Sequence, residues 1–328
     1  MSEYHTAVLL GESVSALVDN PSGTYIDATF GGGGHTAEIL SRLNGSGRVI
    51  AFDRDSDAIG NRIDDERLTL IHNNFRFVHN FIMLDAFNRG ENPEEAKADG
   101  ILADLGVSSH QFNTAERGFS FRYDAPLDMR MDKSSDRTAA DIVNSYDEQE
   151  LEKIFRLYGE VQGSGRIAGL IAGARKEKAI STTAELDKVL EPVLPKFAAH
   201  KLLAKIYQAL RIEVNGEMRS LEKFLSESSE SLKDGGRLVV ITYHSLEDRM
   251  VKNFIRCGNV EGREETDMYG RRLSPFTALN RKPVLPSEEE IASNTRARSA
   301  KMRAAIKNPA MDGSENGNGR KEGKRRDG

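Results

Sequence analysis

Thr24-Tyr25-Ile26-Asp27-Ala28-Thr29-Phe30-Gly31-Gly32-Gly33-Gly34-His35-Thr36-Ala37 is an apolar run that breaks into four glycines and then opens a helical pattern. Tyr25, Ile26 and Ala28 read as a short buried strand, and the glycines permit positive φ and close approach of the backbone to a ligand. From His35 to Leu43 the apolar residues Ala37, Ile39, Leu40 and Leu43 fall at helical spacing, so the loop ends on unpaired backbone N–H groups at a helix N-terminus. That is a seat for a small anionic group. Glycine runs also serve as plain turns, and the next segment bears on the choice. Arg48-Val49-Ile50-Ala51-Phe52-Asp53 is a second apolar run ending in a carboxylate, about 20 residues beyond the glycines, the distance at which a βαβ unit brings an acid to ribose hydroxyls. Asp55 is placed to cap the following helix, which leaves Asp53 for a sugar.

The 328 residues are 38% hydrophobic, enough for one large domain with an insertion or for two domains. No apolar run approaches membrane-spanning length and no cationic, apolar leader begins the sequence, which predicts a cytoplasmic protein with no membrane partner. The single Cys257 excludes internal disulfides and any multi-cysteine zinc site. Seven scattered histidines make no HExxH pattern, so no metal is expected. The formal charge of −5 is uneven: Arg296 to Gly328 carries ten Lys/Arg against four Asp/Glu. A basic end on an acidic body fits either a local polyanion contact or a solvating tail.

Alternating elements continue past Asp53. A helix near Asp55 to Arg62, a strand Leu68–His72, a helix carrying Phe77, Phe81, Ile82 and Leu84, and a strand Gly100–Leu105 are expected in turn. They imply an α/β fold with a mostly parallel sheet and helices on both faces. Ligands bind at the carboxyl ends of such strands, where Gly33, Asp53, Phe75 and Asp104 would converge. The alternation then stops. Ala139 to Tyr158, Ile167 to Lys178, Ala184 to Leu190 and Lys201 to Arg211 read as helices, an all-helical insertion over the site. The sheet resumes after a helix from Gly216 to Lys233, a turn at Asp234-Gly235-Gly236 and a strand Arg237–Thr242, and His244 starts another helix. One strand is expected near Phe276 to Leu279, Ser299 to Ile306 fits a strand or a helix, and the tail from Asn308 is expected to be disordered. The division is therefore a core of residues 1–109 and 214–307, a helical substrate-recognition insertion of 110–213 and a basic tail of 308–328.

Two nucleotide-like cofactors compete for the glycine loop. Gly32 to Ala37 can be aligned to GxGxxA, the nicotinamide dinucleotide pattern, although any four-glycine run generates it. S-adenosylmethionine is the alternative: its carboxylate would take the helix N-terminus, its ribose Asp53, its adenine an apolar slot beside Phe75. Its sulfonium would favour the acids Asp27 and Asp104. Asp27 serves equally as a brace for the glycine loop.

Six ordered blocks carry a family likeness. Asp27-x-Thr29-x-Gly31-x-Gly33-Gly34-His35-Thr36, Asp104-Leu105-Gly106-Val107-Ser108-Ser109-x-Gln111, and Arg117-Gly118-Phe119-Ser120-Phe121 with Pro126-Leu127-Asp128-Met129-Arg130-Met131-Asp132 closely resemble the bacterial 16S ribosomal RNA cytosine-N4 methyltransferase family (MraW-like). Gln208 to Asn215, His244 to Arg249 and Asn294-x-Arg296-Ala297-Arg298-Ser299 extend the likeness to about residue 306. The resemblance implies a class I methyltransferase fold (Rossmann-like) with a helical insertion, using S-adenosyl-L-methionine on one cytidine in the decoding region of 16S rRNA. Whether that RNA is free or within the small ribosomal subunit, and whether the protein is a monomer or homodimer, stays open. It assigns Gly33, Gly34, His35, Asp53, Phe75, Asp104 and Gln111 to the cofactor. Two departures stand out: Lys205-Ile206-Tyr207 replaces Arg-x-Phe, losing a guanidinium fork, and Ala125 replaces a glycine before Pro126-Leu127-Asp128.

Cytidine's exocyclic amine is a poor nucleophile because its lone pair is conjugated with the ring. An enzyme must orient it and accept its N–H bonds as the lone pair localises. Asp104, with the carbonyls of Leu105-Gly106-Val107, is the expected acceptor set, either as catalytic residue or as cofactor ligand only. The base must be unstacked to reach a pocket. Phe119, Phe121 and Tyr123 beside Arg117, Arg122 and Arg130 suit stacking and phosphate binding, with Phe119 and Arg130 as the substrate contacts. Phe119 and Phe121 equally fit a core. His244 fits a helix start or core position as well as a proton carrier, and Arg296, Arg298, Lys301 and Arg303 are placed to track RNA backbone. Two other functions stay open: a dehydrogenase, and a non-catalytic ribosome-assembly factor that binds RNA through the same fold.

Overall fold

The computed structural model describes residues 7–108, 111–112, 114–268, 270 and 273–309. Strands β1 (Thr24–Asp27), β2 (Arg48–Asp53), β3 (Leu68–His72), β4 (Ala98–Asp104) and β5 (Leu232–Thr242) are parallel, and β7 (Lys301–Lys307) is antiparallel to β5 and to β6 (Phe276–Ala278). The order is β3-β2-β1-β4-β5-β7-β6. The chain winds outward from β1 to β3 and then returns to place β4 on the other side of β1, so the direction reverses between β1 and β4. A crevice opens at the carboxyl ends there, which is where open α/β sheets bind ligands.

The period of two along each strand divides the core into two layers. Ile26, Ile50, Phe52, Ile101, Ala103, Leu238 and Val240 point to one side, against Val78 and Ile82 of α4 (Val78–Asn88) and against Phe224 and Phe254. Tyr25, Val49, Ala51, Leu102, Val239 and Ile241 point to the other, against Val14 and Leu17 of α1 (Leu10–Leu17) and Ile39 and Leu40 of α2 (Gly34–Arg42). Both faces are covered, which is why the central strands read as unbroken apolar runs.

Ser299 to Ile306, undecided from spacing, resolves as β7, because its Met302, Ala304 and Ala305 must cover the edge of β5. The expected turn at Asp234-Gly235-Gly236 lies inside β5. Leu232 pairs with Ala98 and Arg237 with Gly100, so the intervening residues bulge out, with Gly235 at φ 79°. The helix expected from Asp55 to Arg62 is the single turn α3 (Ser56–Ile59), ended by Gly60. The tail expected to be disordered lies, beyond Pro309, outside the described residues.

Between β4 and β5 five helices pack on a hydrophobic cluster of their own: α5 (Ala139–Ser145), α6 (Glu148–Leu157), α7 (Ser164–Ala174), α8 (Thr183–Leu190) and α9 (Ala199–Asn215). Thr138 with Asp141, Asp147 with Glu150 and Thr182 with Glu185 form capping boxes that fix where α5, α6 and α8 begin. Leu151, Phe155, Ile167, Ile171, Leu186, Ile206 and Leu210 fill the centre. Gly216, at φ 58°, turns α9 into α10 (Glu217–Ser231), which returns to the sheet, and α11 (Ser245–Cys257) follows β5. A last short helix, α12 (Glu288–Ser293), precedes β7. Among the described residues, no helix is long and apolar enough to cross a membrane.

Candidate active site

The glycine loop is held from below by Asp27, which is fully buried. Its Oδ1 accepts the Thr29 amide at 3.0 Å and its Oδ2 the Thr36 hydroxyl at 2.7 Å. With both oxygens turned to the loop, Asp27 is the brace and not part of the cavity wall. Gly31, Gly32 and Gly34 line a cavity of about 620 Å³, a volume suited to a cofactor-sized ligand. Gly33 adopts φ 78° with its Cα toward the protein, where a Cβ would lie 3.0 Å from the Phe30 ring and 3.2 Å from Ile63. Only glycine fits there, but the reason is packing and backbone conformation. It is not part of the cavity wall. Helix α2 starts one residue before His35, at Gly34, with no side-chain cap, so its first amides remain available beside Gly34 and His35.

Asp53 closes the loop from the side, Oδ2 accepting the Gly31 amide and Oδ1 the Asp55 amide, each at 2.8 Å. Each oxygen keeps a second lone pair. Burial pushes this carboxyl up from its ordinary pKa while the two amides pull it down. Phe75 opens a 3-10 turn after β3, packs edge-on to Phe224 at 5.1 Å between centroids, and presents the rest of its ring to the cavity.

Asp104 ends β4. Its Oδ1 is buried with no hydrogen-bond partner, and its Oδ2 lies 4.0 Å from His35 Nδ1. Burial raises its pKa, opposed by His35 and by the Tyr243 hydroxyl. His35 Nε2 donates to the Val8 carbonyl at 3.2 Å, which turns Nδ1 toward Asp104. Tyr243, just past the end of β5, packs so closely that a Cβ on Gly106 would meet its ring at 2.8 Å. Burial and the facing Asp104 push this phenol well above its usual pKa.

Gln111 lines the wall with its amide committed inside the protein: Nε2 donates to Asp55 Oδ2 at 2.6 Å and Oε1 accepts the Ser108 amide at 3.2 Å. The same Asp55 oxygen lies 3.1 Å from Arg117, whose guanidinium also reaches Asp57 at 3.2 Å and the carbonyls of Arg130 and Met131 at 2.9 and 3.0 Å. Arg117 thus fastens the segment before α5 to the loop after β2. Asn215 fastens it again, accepting the Met131 amide and donating to the Met129 carbonyl, both at 2.8 Å. Arg54 joins there, donating to the Asn215 carbonyl at 3.0 Å and contacting the Met131 sulfur.

The two expected substrate contacts, Phe119 and Arg130, are both engaged within the protein. Phe119 is only 7% exposed, packed in the core of the helical cluster. Arg130 chelates Asp128 at 2.9 and 2.7 Å and donates to the carbonyls of Lys133 and Ser135, leaving little of its fork for phosphate. Tyr207, in the segment that departs from the family pattern, is likewise internal, donating to Asp187 at 3.0 Å. Arg303 is paired with Asp248 at 2.7 Å. His244 caps α11, its Nδ1 accepting the Glu247 amide.

The wall also takes in Arg54, Phe112, Met131, Arg211, Glu217, Tyr243, Glu247 and Asn294, for which no cofactor or substrate role is expected from sequence. Arg296 joins them, its guanidinium over the Phe112 ring at 5.4 Å. Among the described residues, Glu217, His244 and Glu247 bring ligand atoms within 4.8 Å of one another. Arg211, however, takes both Glu217 oxygens at 2.9 Å, and Glu247 Oε2 accepts the Tyr243 amide at 2.9 Å. The positive charge in this group is the guanidinium.

A glycine loop running into a helix, an acid at the end of β2 and a second at the end of β4, on a sheet whose last strands run antiparallel, define a class I S-adenosylmethionine-dependent methyltransferase. The model of the MraW methylase family matches residues 2–308, and the chain belongs to that family. Proteins named ribosomal RNA small subunit methyltransferase H are 51% identical over 304 residues in Bacteroides fragilis, covering 93% of this chain and 97% of the relative. The counterpart in Bacteroides thetaiotaomicron is 52% identical with the same coverage, and that in Christiangramia forsetii 49% identical, covering 94% and 99%. Among solved structures, a putative rRNA methylase from Clostridium thermocellum covers 92% of this chain and 99% of its own at 15% identity and TM-score 0.42.

The cavity fits S-adenosylmethionine. The uncapped α2 suits its carboxylate, the spare lone pairs of Asp53 its ribose hydroxyls, the Phe75 slot its adenine. The unpartnered Asp104 oxygen belongs to the same cavity wall and is not needed for that fit.

Proposed function

We propose that this chain methylates the exocyclic N4 amine of one cytidine in the decoding region of 16S rRNA, with residues 110–213 serving to recognise the RNA. The observation that carries the reading is the buried, unpartnered Oδ1 of Asp104, in a cavity wall that continues through Leu105, Gly106 and Val107. An oxygen without a donor is costly to bury, and an amine with two N–H bonds is the kind of group it lacks. S-adenosylmethionine supplies an electrophilic methyl group on sulfonium. Asp104 accepts an N4–H and holds the amine in line. Once the amine has been methylated, its surplus N4 proton would pass to the Asp104 carboxylate. Its raised pKa suits a proton acceptor.

Phe112 with Arg296 above it supports a stacking slot for the flipped base, the role first expected of Phe119. The names of the relatives support ribosomal RNA as the substrate class. The test is mass spectrometry of nucleosides from small-subunit RNA of cells with and without the gene. N4-methylated cytidine that disappears on deletion is expected; an unchanged nucleoside profile would remove the assignment.

A further inference from the structure

The turn entering α9 presents a side chain that the fold does not use. Phe197 is 97% exposed, while its neighbours in sequence anchor inward: Leu190 is fully buried and Leu203 and Ile206 lie in the helical core. Pro195 precedes it, and the Ala198 amide closes a turn onto the Pro195 carbonyl at 3.2 Å, so the ring is displayed on a defined support. Lys196 beside it is exposed, as are His200, Lys201, Ala204 and Lys205 on the first turns of α9. Lys201 and Lys205 are four residues apart and share a face. From Pro195 to Gln208 there is no Asp or Glu, in a chain whose formal charge is −5. Lys205 donates to the Glu160 carbonyl at 3.2 Å, and the Glu160 carboxylate is held by Arg249 of α11 and by Ser245. The basic edge therefore runs from the tip of the helical cluster back to the core.

We propose that this edge docks single-stranded RNA, with Phe197 stacking on an unpaired base and Lys196, Lys201 and Lys205 meeting the flanking phosphates. A single aromatic ring among lysines is too small an apolar area for a stable protein interface, which takes roughly 800 Å² per partner. It matches the stacking platform and cationic track that bind single strands. The proposal rests on the assignment of RNA as substrate and extends it to a surface outside the cavity.

The test uses small ribosomal subunits from cells lacking the gene and the full-length protein. Phe197→Ala should raise the KM for subunits about tenfold, with S-adenosylmethionine affinity and melting midpoint at wild-type values, and Phe197→Trp should restore it. Lys196→Ala/Lys201→Ala should lower the slope of log affinity against log salt by about 1.4. Wild-type KM and salt slope in these variants, while the wild-type protein methylates the subunits, would overturn the docking edge and leave the function standing. Absence of methyl transfer by the wild-type protein would instead remove the function. Phe197→Ala dissociating a dimer with KM unchanged would make the occupant a second copy and overturn the proposal.

Discussion

The wall of the cavity made by Gly31, Gly32, Gly34, His35, Asp53 and Phe75 and the wall made by Asp104, Arg211, Glu217 and Tyr243 are built on different terms. In the first, backbone amides do the holding: Gly31 and Asp55 donate to Asp53, and Thr29 donates to Asp27. Its parts are near neighbours in sequence, following β1, β2 and β3 in turn. In the second, side chains from β4, α9, α10 and the end of β5 meet across the fold, and one oxygen of Asp104 is left without a donor. A backbone-held wall suits a ligand that is always the same. A wall of convergent side chains with an unmet acceptor suits a substrate that enters and leaves.

If the walls divide the work in this way, Asp104→Asn should lower single-turnover rate by about 10²–10⁴ while S-adenosylmethionine affinity by calorimetry changes little. Loss of affinity with unchanged rate at saturation would move Asp104 to the first wall. Arg117→Met should cost about 3–5 kcal/mol by leaving Asp55 buried without its cation, read as a shift in urea midpoint at constant slope; a shift under 1 kcal/mol would mean that Asn215 alone fastens the segment. Asp53→Asn should weaken S-adenosylmethionine binding about tenfold, one charged hydrogen bond's worth, sparing the rate at saturation.

The smallest effect concerns pH. Burial raises the Asp104 pKa in the folded state. The stability this gives is fully present below the unfolded value of about 3.9 and is lost as pH rises through the folded one. Asp104→Asn should therefore melt slightly above wild type at pH 7 and lose that advantage as the solution is acidified. Wild-type turnover should rise with pH through the same ionisation. A variant that melts lower at pH 7 would make the Asp104 carboxylate a net structural support.

The same contrast explains what sequence could reveal. Strands β1, β2 and β4 are legible because a parallel strand buried on both faces is an apolar run, and each ends in an acid where the crevice must lie. Asp53 and Asp104 stand out for that reason. The surroundings of Phe119 and Arg130 are less legible: nothing local in the sequence announces that α5 to α9 will enclose one and that Asp128 will chelate the other. Gly33 illustrates a subtler case, since the motif marks a residue whose glycine is needed but whose Cα faces the protein. Tyr243 could have been found by applying the strand-end rule to β5 as well as to β2 and β4. Arg211 and Glu217 could not, because they meet only after Gly216 reverses the chain.

Asn215 has a consequence for how this architecture tolerates change. By gripping Met129 and Met131 it pins together the two ends of everything between them. Lengthening an outer turn, such as the one between α7 and α8, enlarges a loop that is already closed, at a cost that grows only with the logarithm of its length. Insertions there should be absorbed without disturbing the floor of the crevice, making the helical cluster a replaceable head on a fixed handle.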